Sequence, residues 1–379
     1  MKKYPLYLAF LCCTRFAGAW TVHLFHNTPP SLTPSSTYKG IASPFESISR
    51  DGKYVLVPAQ DGDSREHYLL VGPNLTDPAQ DLNVAAGPTP AAYYGAGFSN
   101  VNDNGEVVMR PASNPFSYYL YQHWNHTAQI LPPAPHGKPA AVSELDDAHH
   151  FIGTWYFKDG PLQGKQSIFI AKEPNLITVD DTVSNYANTG TPYILDASAD
   201  TPVGIETDAN YNLHGFTLFM GAYTVLGPPA GYGAALPFSI NDTGSIAGWL
   251  SDGEAYLQTG AGYKVITPAG FPAYVVNFNY LGYQRLNSVD VDNAGNVFFP
   301  TVAANDVFVN KFDYYDATTG VVSDLGAAIA PLLPTNLGYT LTAMDVNGTV
   351  YGAYIYKVLP PANPYGSPSN LYHCFTATP

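Results

Sequence analysis

Aromatic rings stand beside amide, imidazole and guanidinium groups in several segments between the predicted strands. Flat rings next to hydrogen-bonding groups suit a sugar, whose ring faces are apolar and whose rim carries hydroxyls. The same mixture suits a protein partner. The chain has 29 Tyr and 19 Phe, so some of these rings would only pack loops onto strands. The predicted ligand-binding residues are Tyr94, Tyr156, Tyr211, Asn212, His214, Tyr280, Tyr283 and Arg285.

Two segments have the opening pattern of a calcium-binding loop. In the first, Asn100 to Gly105, the twelfth position is Pro111. In the second, Asp290 to Gly295, the twelfth position is Thr301. A calcium loop needs a bidentate Glu at this position, so both segments are predicted to be hairpin turns.

The adjacent imidazoles of His149 and His150 could in principle ligate zinc. No H-E-x-x-H motif and no Cys-His cluster accompanies them, so we predict neither a metal site nor a cofactor. No G-x-S-x-G elbow is present, so there is no local signature of a serine hydrolase.

One pattern recurs along the chain: an apolar residue, two or three turn-forming residues, a Gly and an alternating strand. The clearest copies are SISRDGKYVLV, NVNDNGEVVM, SINDTGSIAGWL, DVDNAGNVFF and AMDVNGTVYGAY, and two weaker copies are ELDDAHHFIGTW and ILDASADTPVGIE. The anchors at the glycine position are Gly52, Gly105, His149, Asp200, Gly244, Gly295 and Gly348, which lie 44 to 53 residues apart.

A period near fifty residues with about four strand-like segments per period is typical of a β-propeller. We therefore predict an all-β, seven-bladed propeller with four-stranded antiparallel blades, whose repeats run from about residue 46 to 379. The last repeat has three strand-like segments. Residues 20–31 begin with the alternating WTVHLF and would supply the missing strand, closing the ring without an exposed edge. Residues 20–379 are thus one domain.

The N-D-x-G-x-[IV]-x-G core, followed by an aromatic strand such as EAYLQTG, resembles the extracellular HAF-repeat proteins. The element NSVDVDNAGNVFF is similar to the NHL type of propeller repeat. Most copies here lack the His-Ala-Phe triplet of the HAF family. The resemblance implies a propeller fold more than any activity, because propeller repeats host many functions.

The first 19 residues have the features of a signal peptide. Lys2 and Lys3 precede an apolar stretch, and Ala17-Gly18-Ala19 is a small-x-small cleavage site, which predicts a secreted or periplasmic protein. No later segment is apolar over about 18 residues, so membrane insertion is not expected.

The charge balance limits the class of partner. Removal of three of the 16 basic residues with the signal peptide leaves 13 against 30 acidic ones, a net charge near −17. Nucleic acid and anionic membrane surfaces would repel such a protein. Cys374 would be the one remaining cysteine, which precludes an intramolecular disulfide.

These observations favour a binding protein that recognises a carbohydrate or an extracellular protein on its loop-rich face. The alternative is a glycoside hydrolase or polysaccharide lyase with carboxylates at the mouth of the central channel. Binding ranks first because no catalytic motif is present.

Overall fold

The computed structural model is an all-β propeller built from antiparallel sheets. The residues that it describes are 20–25, 33–34, 47–60, 66–74, 79–82, 98–109, 119–122, 127–130, 137–157, 166–172, 193–198, 201–207, 212–219, 222–251, 253–266, 289–302, 309–334, 337–359 and 369–379.

The described strands form seven sheets, which are numbered here in chain order. Sheet 1 contains β2 (Thr33–Pro34), β3 (Ser47–Ile48), β4 (Val55–Gln60), β5 (Glu66–Val71) and β6 (Gln80–Asp81). Sheet 2 contains β7 (Phe98–Val101), β8 (Glu106–Met109), β9 (Tyr119–Gln122) and β10 (Thr127–Ile130). Sheet 3 contains β11 (Gly137–Leu145), β12 (His150–Phe157) and β13 (Gln166–Lys172). Sheet 4 contains β14 (Tyr193–Ser198), β15 (Thr201–Thr207), β16 (Leu213–Phe219) and β17 (Ala222–Val225).

The remaining sheets complete the ring. Sheet 5 contains β18 (Ala235–Ile240), β19 (Ile246–Leu250), β20 (Ala255–Thr259) and β21 (Gly262–Ile266). Sheet 6 contains β22 (Asp290–Val291), β23 (Val297–Val302), β24 (Val309–Asp316) and β25 (Val321–Asp324). Sheet 7 contains β26 (Tyr339–Met344), β27 (Val350–Leu359), β28 (Ser369–Thr378) and, from the other end of the chain, β1 (Thr21–Leu24).

The prediction of seven four-stranded blades needs a correction. Within the described residues, sheet 1 has five strands, sheets 2, 4, 5, 6 and 7 have four each, and sheet 3 has three, so six blades are complete. The residues that follow β13, 173–192, lie outside the described part of the chain. In sheet 7 the fourth place is taken by β1, which pairs antiparallel with β28 from Thr21↔Thr378 to Leu24↔Phe375. The edge of β28 is thereby covered, as the repeat pattern predicts.

In six sheets, the anchor residue of the hairpin between the first and second strands has a left-handed backbone conformation. Six of the seven anchors have positive φ: Gly52 (76°), Gly105 (73°), His149 (62°), Gly244 (78°), Gly295 (85°) and Gly348 (84°). The seventh, Asp200, lies outside the described residues. This left-handed conformation favours Gly, and His is among the residues that tolerate it. The positions of these six turns, as predicted from the repeat pattern, are therefore confirmed.

The core lies between neighbouring sheets and contains a recurring cross-strand pair. Four residues after the anchor, a Gly on the second strand faces an aromatic ring on the third in Gly153/Phe169, Gly204/Phe216, Gly248/Tyr256 and Gly352/Phe375. A Cβ atom on Gly204 would lie 2.7 Å from Cζ of Phe216, so the Gly makes room for the ring. The rings then fill the space between sheets.

Helical structure is minor. A short helix, α1 (Leu325–Ile329), follows β25 and continues as a 3-10 turn, Ala330–Leu332. Asp324 caps it, with Oδ1 accepting a hydrogen bond from N of Ala327 at 2.8 Å. In the described part of the chain, no helix has the length and apolarity needed to cross a membrane.

Candidate functional site

The two ends of the ring differ in construction. One end, the turn face, carries the hairpins between the first and second strands. The other end, the loop face, carries the segments that join second to third strands and that lead into each first strand. The sequence pattern assigns the predicted binding residues to the loop face.

On the turn face, backbone groups bond from one hairpin to the next around the ring. N of Asp242 donates to Oδ1 of Asn293 at 3.0 Å. N of Asn293 donates to O of Val346 at 2.8 Å, and N of Val346 donates to O of Arg50 at 3.1 Å. This chain of bonds runs from sheet 5 through sheets 6 and 7 to sheet 1, and it satisfies groups that would otherwise be unpaired.

Arg50 crosses from sheet 1 to the far side of this face. Its Nε donates to Oδ1 of Asp242 at 2.6 Å, its Nη1 to O of Ala197 at 2.9 Å, and its Nη2 to O of Ile240. Burial tends to raise the pKa of Asp242, but bonds and charge from Arg50, together with a bond from Asn293, hold it below its usual value. One guanidinium thus joins three sheets and spans the turn end of the channel.

Three carboxyl groups on sheets 1 to 3 are linked in series at the same end. N of Asp51 donates to Oδ1 of Asp103, and N of Asp103 donates to Oδ1 of Asp147, both at 2.7 Å. Burial, a side-chain bond to Asp51 and the charge of Asp147 raise the pKa of Asp103 to about 8. A carboxyl that stays protonated near neutral pH can lie close to its neighbours without charge repulsion.

The two adjacent histidines also serve the turn face. Nδ1 of His149 lies 2.7 Å from Oε2 of the buried Glu106, and Nδ1 of His150 lies 2.6 Å from Oδ2 of Asp146. Among the residues that the structure describes, no group of three or more potential metal ligands converges. Most polar groups of this face bind one another, and Oε1 of the buried Glu106 is an exception without a partner among the described residues.

The structure describes three of the eight predicted binding residues. Asn212 is exposed immediately before β16, and His214 is half-buried within it. Tyr156 lies on β12, with its backbone paired to Lys138 and Gln166. Of the eight, Asn212 and His214 lie close together because they are two residues apart at the start of β16. The other five, which lie outside the described residues, are Tyr94, Tyr211, Tyr280, Tyr283 and Arg285.

Glu206, which the sequence analysis missed, is the buried acid of the loop face. It is 3% exposed, near the end of β15, and pairs across the strands with His214. Burial raises the pKa of its carboxyl, while the Tyr223 hydroxyl and the charge of His214 act in the opposite direction. Its Oε1 has no hydrogen-bond partner among the described residues. A buried acid with a perturbed pKa beside an imidazole is a functional-site candidate.

Alignment of the repeats could have identified Glu206. The residue six positions after the anchor is Leu250 in sheet 5 and Tyr354 in sheet 7, both buried. An acid in this place is therefore no part of the repeat. By contrast, Asp292 and Asp345, which stand before their turns, each accept two backbone N–H bonds from their own turn.

The loops of sheet 5 show how the loop face is fixed. The Tyr232 hydroxyl donates to Oε2 of Glu254, which joins the segment entering β18 to the segment entering β20. Oγ of Ser251 accepts from N of Gly233 at 3.1 Å and from N of Ala234 at 3.3 Å. This part of the loop face is held by side-chain bonds between its two loops.

No family model matches the chain, and a comparison with curated proteins finds no match either. Among solved structures, the chain is similar to an oligogalacturonate lyase in complex with manganese, at 11% identity and a TM-score of 0.52, covering 95% of this chain and 96% of that one. It is also similar to U3-55K, at 8% identity and a TM-score of 0.51, covering 94% and 98%. A third likeness, to a prolyl endopeptidase, has 12% identity and a TM-score of 0.53, covering 86% and 49%. At these identities the likenesses establish the fold alone.

Proposed function

We propose that this protein is a secreted binding protein that recognises a carbohydrate on its loop face. The observation that carries the proposal is a group of polar side chains on the loop face, Glu206, His214 and Asn212, of which Glu206 is an acid that is no part of the repeat. On the turn face Arg50 spans the channel and the hairpin groups bond to one another. On the loop face Glu206 keeps a buried oxygen without a partner, next to the half-buried His214 and the exposed Asn212.

The charge of the chain narrows the class of carbohydrate. With a net charge of −14, the protein repels acidic polysaccharides at long range. Neutral glycans meet no such repulsion, and their hydroxyls are suitable partners for amide, imidazole and carboxyl groups. Neutral glycans are therefore the proposed class, and a protein ligand is the alternative outcome of the same screen.

Catalysis is the second candidate function, and Glu206 is the observation that favours it. A carboxyl whose pKa is raised by burial has the property of a general acid in glycoside hydrolysis. Such chemistry needs a second carboxyl on the other side of the bond. No second carboxyl is among the groups that act on the pKa of Glu206 in the described part of the chain, so binding ranks above hydrolysis.

The test is a glycan array and a pull-down from extracellular extract, both with the chain from residue 20 onward. We expect retention of neutral glycans, weaker retention by His214→Ala, and unchanged retention by Asn104→Ser, whose exposed side chain lies on the turn face. If the parent retains no glycan in the array but retains a protein in the pull-down, the carbohydrate proposal is wrong. Release of new reducing ends or of unsaturated products from a retained glycan would instead establish the enzyme.

A further inference from the structure

Sheet 6 departs from the cross-strand pairing that the other sheets share. The third-strand residue of that pair is aromatic in sheets 2, 3, 4, 5 and 7 and is Leu70 in sheet 1. In sheet 6 it is Asp313, which faces Phe299 across the strands. Asp313 is fully buried, at 0% exposure. A carboxyl thus occupies the place of a core side chain.

The exchange is compensated in volume by the facing strand. Phe299 stands where four other sheets have Gly, and its ring packs edge-on against Trp249 of sheet 5 with centroids 6.1 Å apart. The ring has in effect moved from the third strand to the second, and the space between sheets 5 and 6 stays filled. Packing is therefore kept while the third strand gains a polar group.

That polar group is part of a triad that leads toward the loop face. The carboxylate of Asp313 lies 2.8 Å from Nζ of Lys311 and accepts a bond from the Thr301 hydroxyl at 3.1 Å. Thr301 and Lys311 pair across the strands at the same level as Glu206 and His214 in sheet 4. The Lys311 side chain is 26% exposed, whereas that of Asp313 is 1% exposed.

Stability does not account for this triad. A buried ion pair is often no more stable than well-packed apolar residues of similar volume, because both charges lose their hydration. The other sheets show that this chain can build the same layer from Gly and an aromatic ring. Departures from a locally consistent pattern are expected at functional sites.

We propose that Lys311, held in place by Asp313 and Thr301, is a ligand-anchoring residue for a neutral carbohydrate on the loop face. The inference rests on the proposed binding function and assigns it a specific group. An ammonium paired with a buried carboxylate has little net charge, so it acts as a fixed hydrogen-bond donor to an uncharged oxygen acceptor. Such a donor suits a sugar hydroxyl or ring oxygen.

The test compares three variants of the full chain. Phe299→Gly/Lys311→Met/Asp313→Phe removes both charges and restores the pairing of the other sheets, and Lys311→Met removes the ammonium while keeping its stem. Lys264→Met is the matched control, because Lys264 also contacts β24, through Tyr315, but lies toward the turn face. The probes are cellohexaose, xylohexaose, mannohexaose and laminarihexaose, measured by calorimetry, with thermal unfolding of each variant alongside.

We expect the parent to bind at least one probe, Lys311→Met to bind it about tenfold or more weakly, and Lys264→Met to bind it as the parent does. The triple variant should unfold at or above the temperature of the parent and lose the probe. If the parent and Lys311→Met bind equally, the inference is wrong and the proposed function stands. If the parent binds none of the four probes, the inference and the proposed function are both wrong for neutral glycans. A triple variant that unfolds well below the parent, with Lys311→Met binding normally, would make the triad structural.

Discussion

The turn face and the loop face are built from the same repeats but obey different constraints. On the turn face, one position after another carries an Asp or Asn that bonds to its own turn or to the next hairpin. On the loop face, equivalent positions hold Leu250, Tyr354, Thr301 and Glu206 in different sheets. Repetition at one end secures the ring, and variation at the other end provides distinct chemical groups. In a protein of this kind, the residues that break the repeat are the first candidates for function.

The largest effect should come from opening the ring. Removing residues 20–25 deletes β1, exposes the edge of β28 and removes the edge-on contact of Trp20 with Tyr314, at 5.3 Å between centroids. We expect a melting temperature several degrees lower, or aggregation, in scanning calorimetry and light scattering. A monodisperse truncated chain with the parent melting temperature would show that β1 does not hold the ring closed.

The second-largest effect on stability should come from removing the Arg50 guanidinium, which joins three sheets on the turn face. Arg50→Ala removes one donor from Asp242, which keeps its bond from Asn293, and one donor from each of the carbonyls of Ala197 and Ile240. This should lower the free energy of unfolding by about 1–3 kcal/mol. Arg50→Lys should recover only part of this stability, because the Lys ammonium keeps the positive charge but lacks the planar guanidinium that reaches several acceptors at once. Urea titration measures both.

The control for Arg50→Ala is Lys53→Ala, which removes an exposed partner of Asp51 on the same face. We expect a change within about 0.5 kcal/mol. If Arg50→Ala and Lys53→Ala lowered the free energy of unfolding equally, Arg50 would be an ordinary surface residue that does not hold the three sheets together.

A smaller effect, with a defined dependence on pH, should come from Glu206. Its folded-state pKa is raised above the ordinary value of 4.5, mainly by burial. The protonated form is therefore favoured in the folded state, and this contribution to stability is complete below pH 4.5 and is lost as the pH rises through the folded-state pKa. Glu206→Gln, which mimics the protonated acid, should match the parent near pH 4 and exceed it in melting temperature near pH 7. If the difference in melting temperature between Glu206→Gln and the parent were the same at pH 4 and pH 7, the raised pKa of Glu206 would be contradicted.

The smallest effect on stability, with the largest on binding, is expected for the predicted aromatic anchors. Tyr211→Ala and Tyr283→Ala should each weaken the same ligand by about 1–3 kcal/mol and leave the melting temperature unchanged. Asn104→Ser should leave affinity unchanged. If Asn104→Ser abolishes binding while both tyrosine variants bind normally, the functional surface is the turn face.

Much of the fold follows from short-range features of the sequence. A turn needs a few consecutive residues, so Gly at five anchors, His149 at a sixth and Asn or Asp before them are enough to place six hairpins with positive φ. The alternation of apolar and polar residues places the strands, and the incomplete last repeat indicates the closing role of β1. The prediction of seven four-stranded blades was wrong in number, because sheet 3 has three strands within the described residues and six blades are complete.

The site depended on contacts between distant parts of the chain. Of the predicted binding residues, Asn212 and His214 are found together, and their neighbour Glu206 was missed because its burial comes from packing that no local pattern reveals. The sequence by itself determined the repeat and its turns, since these depend on residues a few positions apart. The tertiary structure alone decided that Arg50 joins groups 147 and 192 residues away, and that Asp313 replaces an aromatic ring between two sheets. The first result arises from the closure of the ring, which brings together groups that are far apart in the sequence, and the second arises from the packing of sheet 5 against sheet 6.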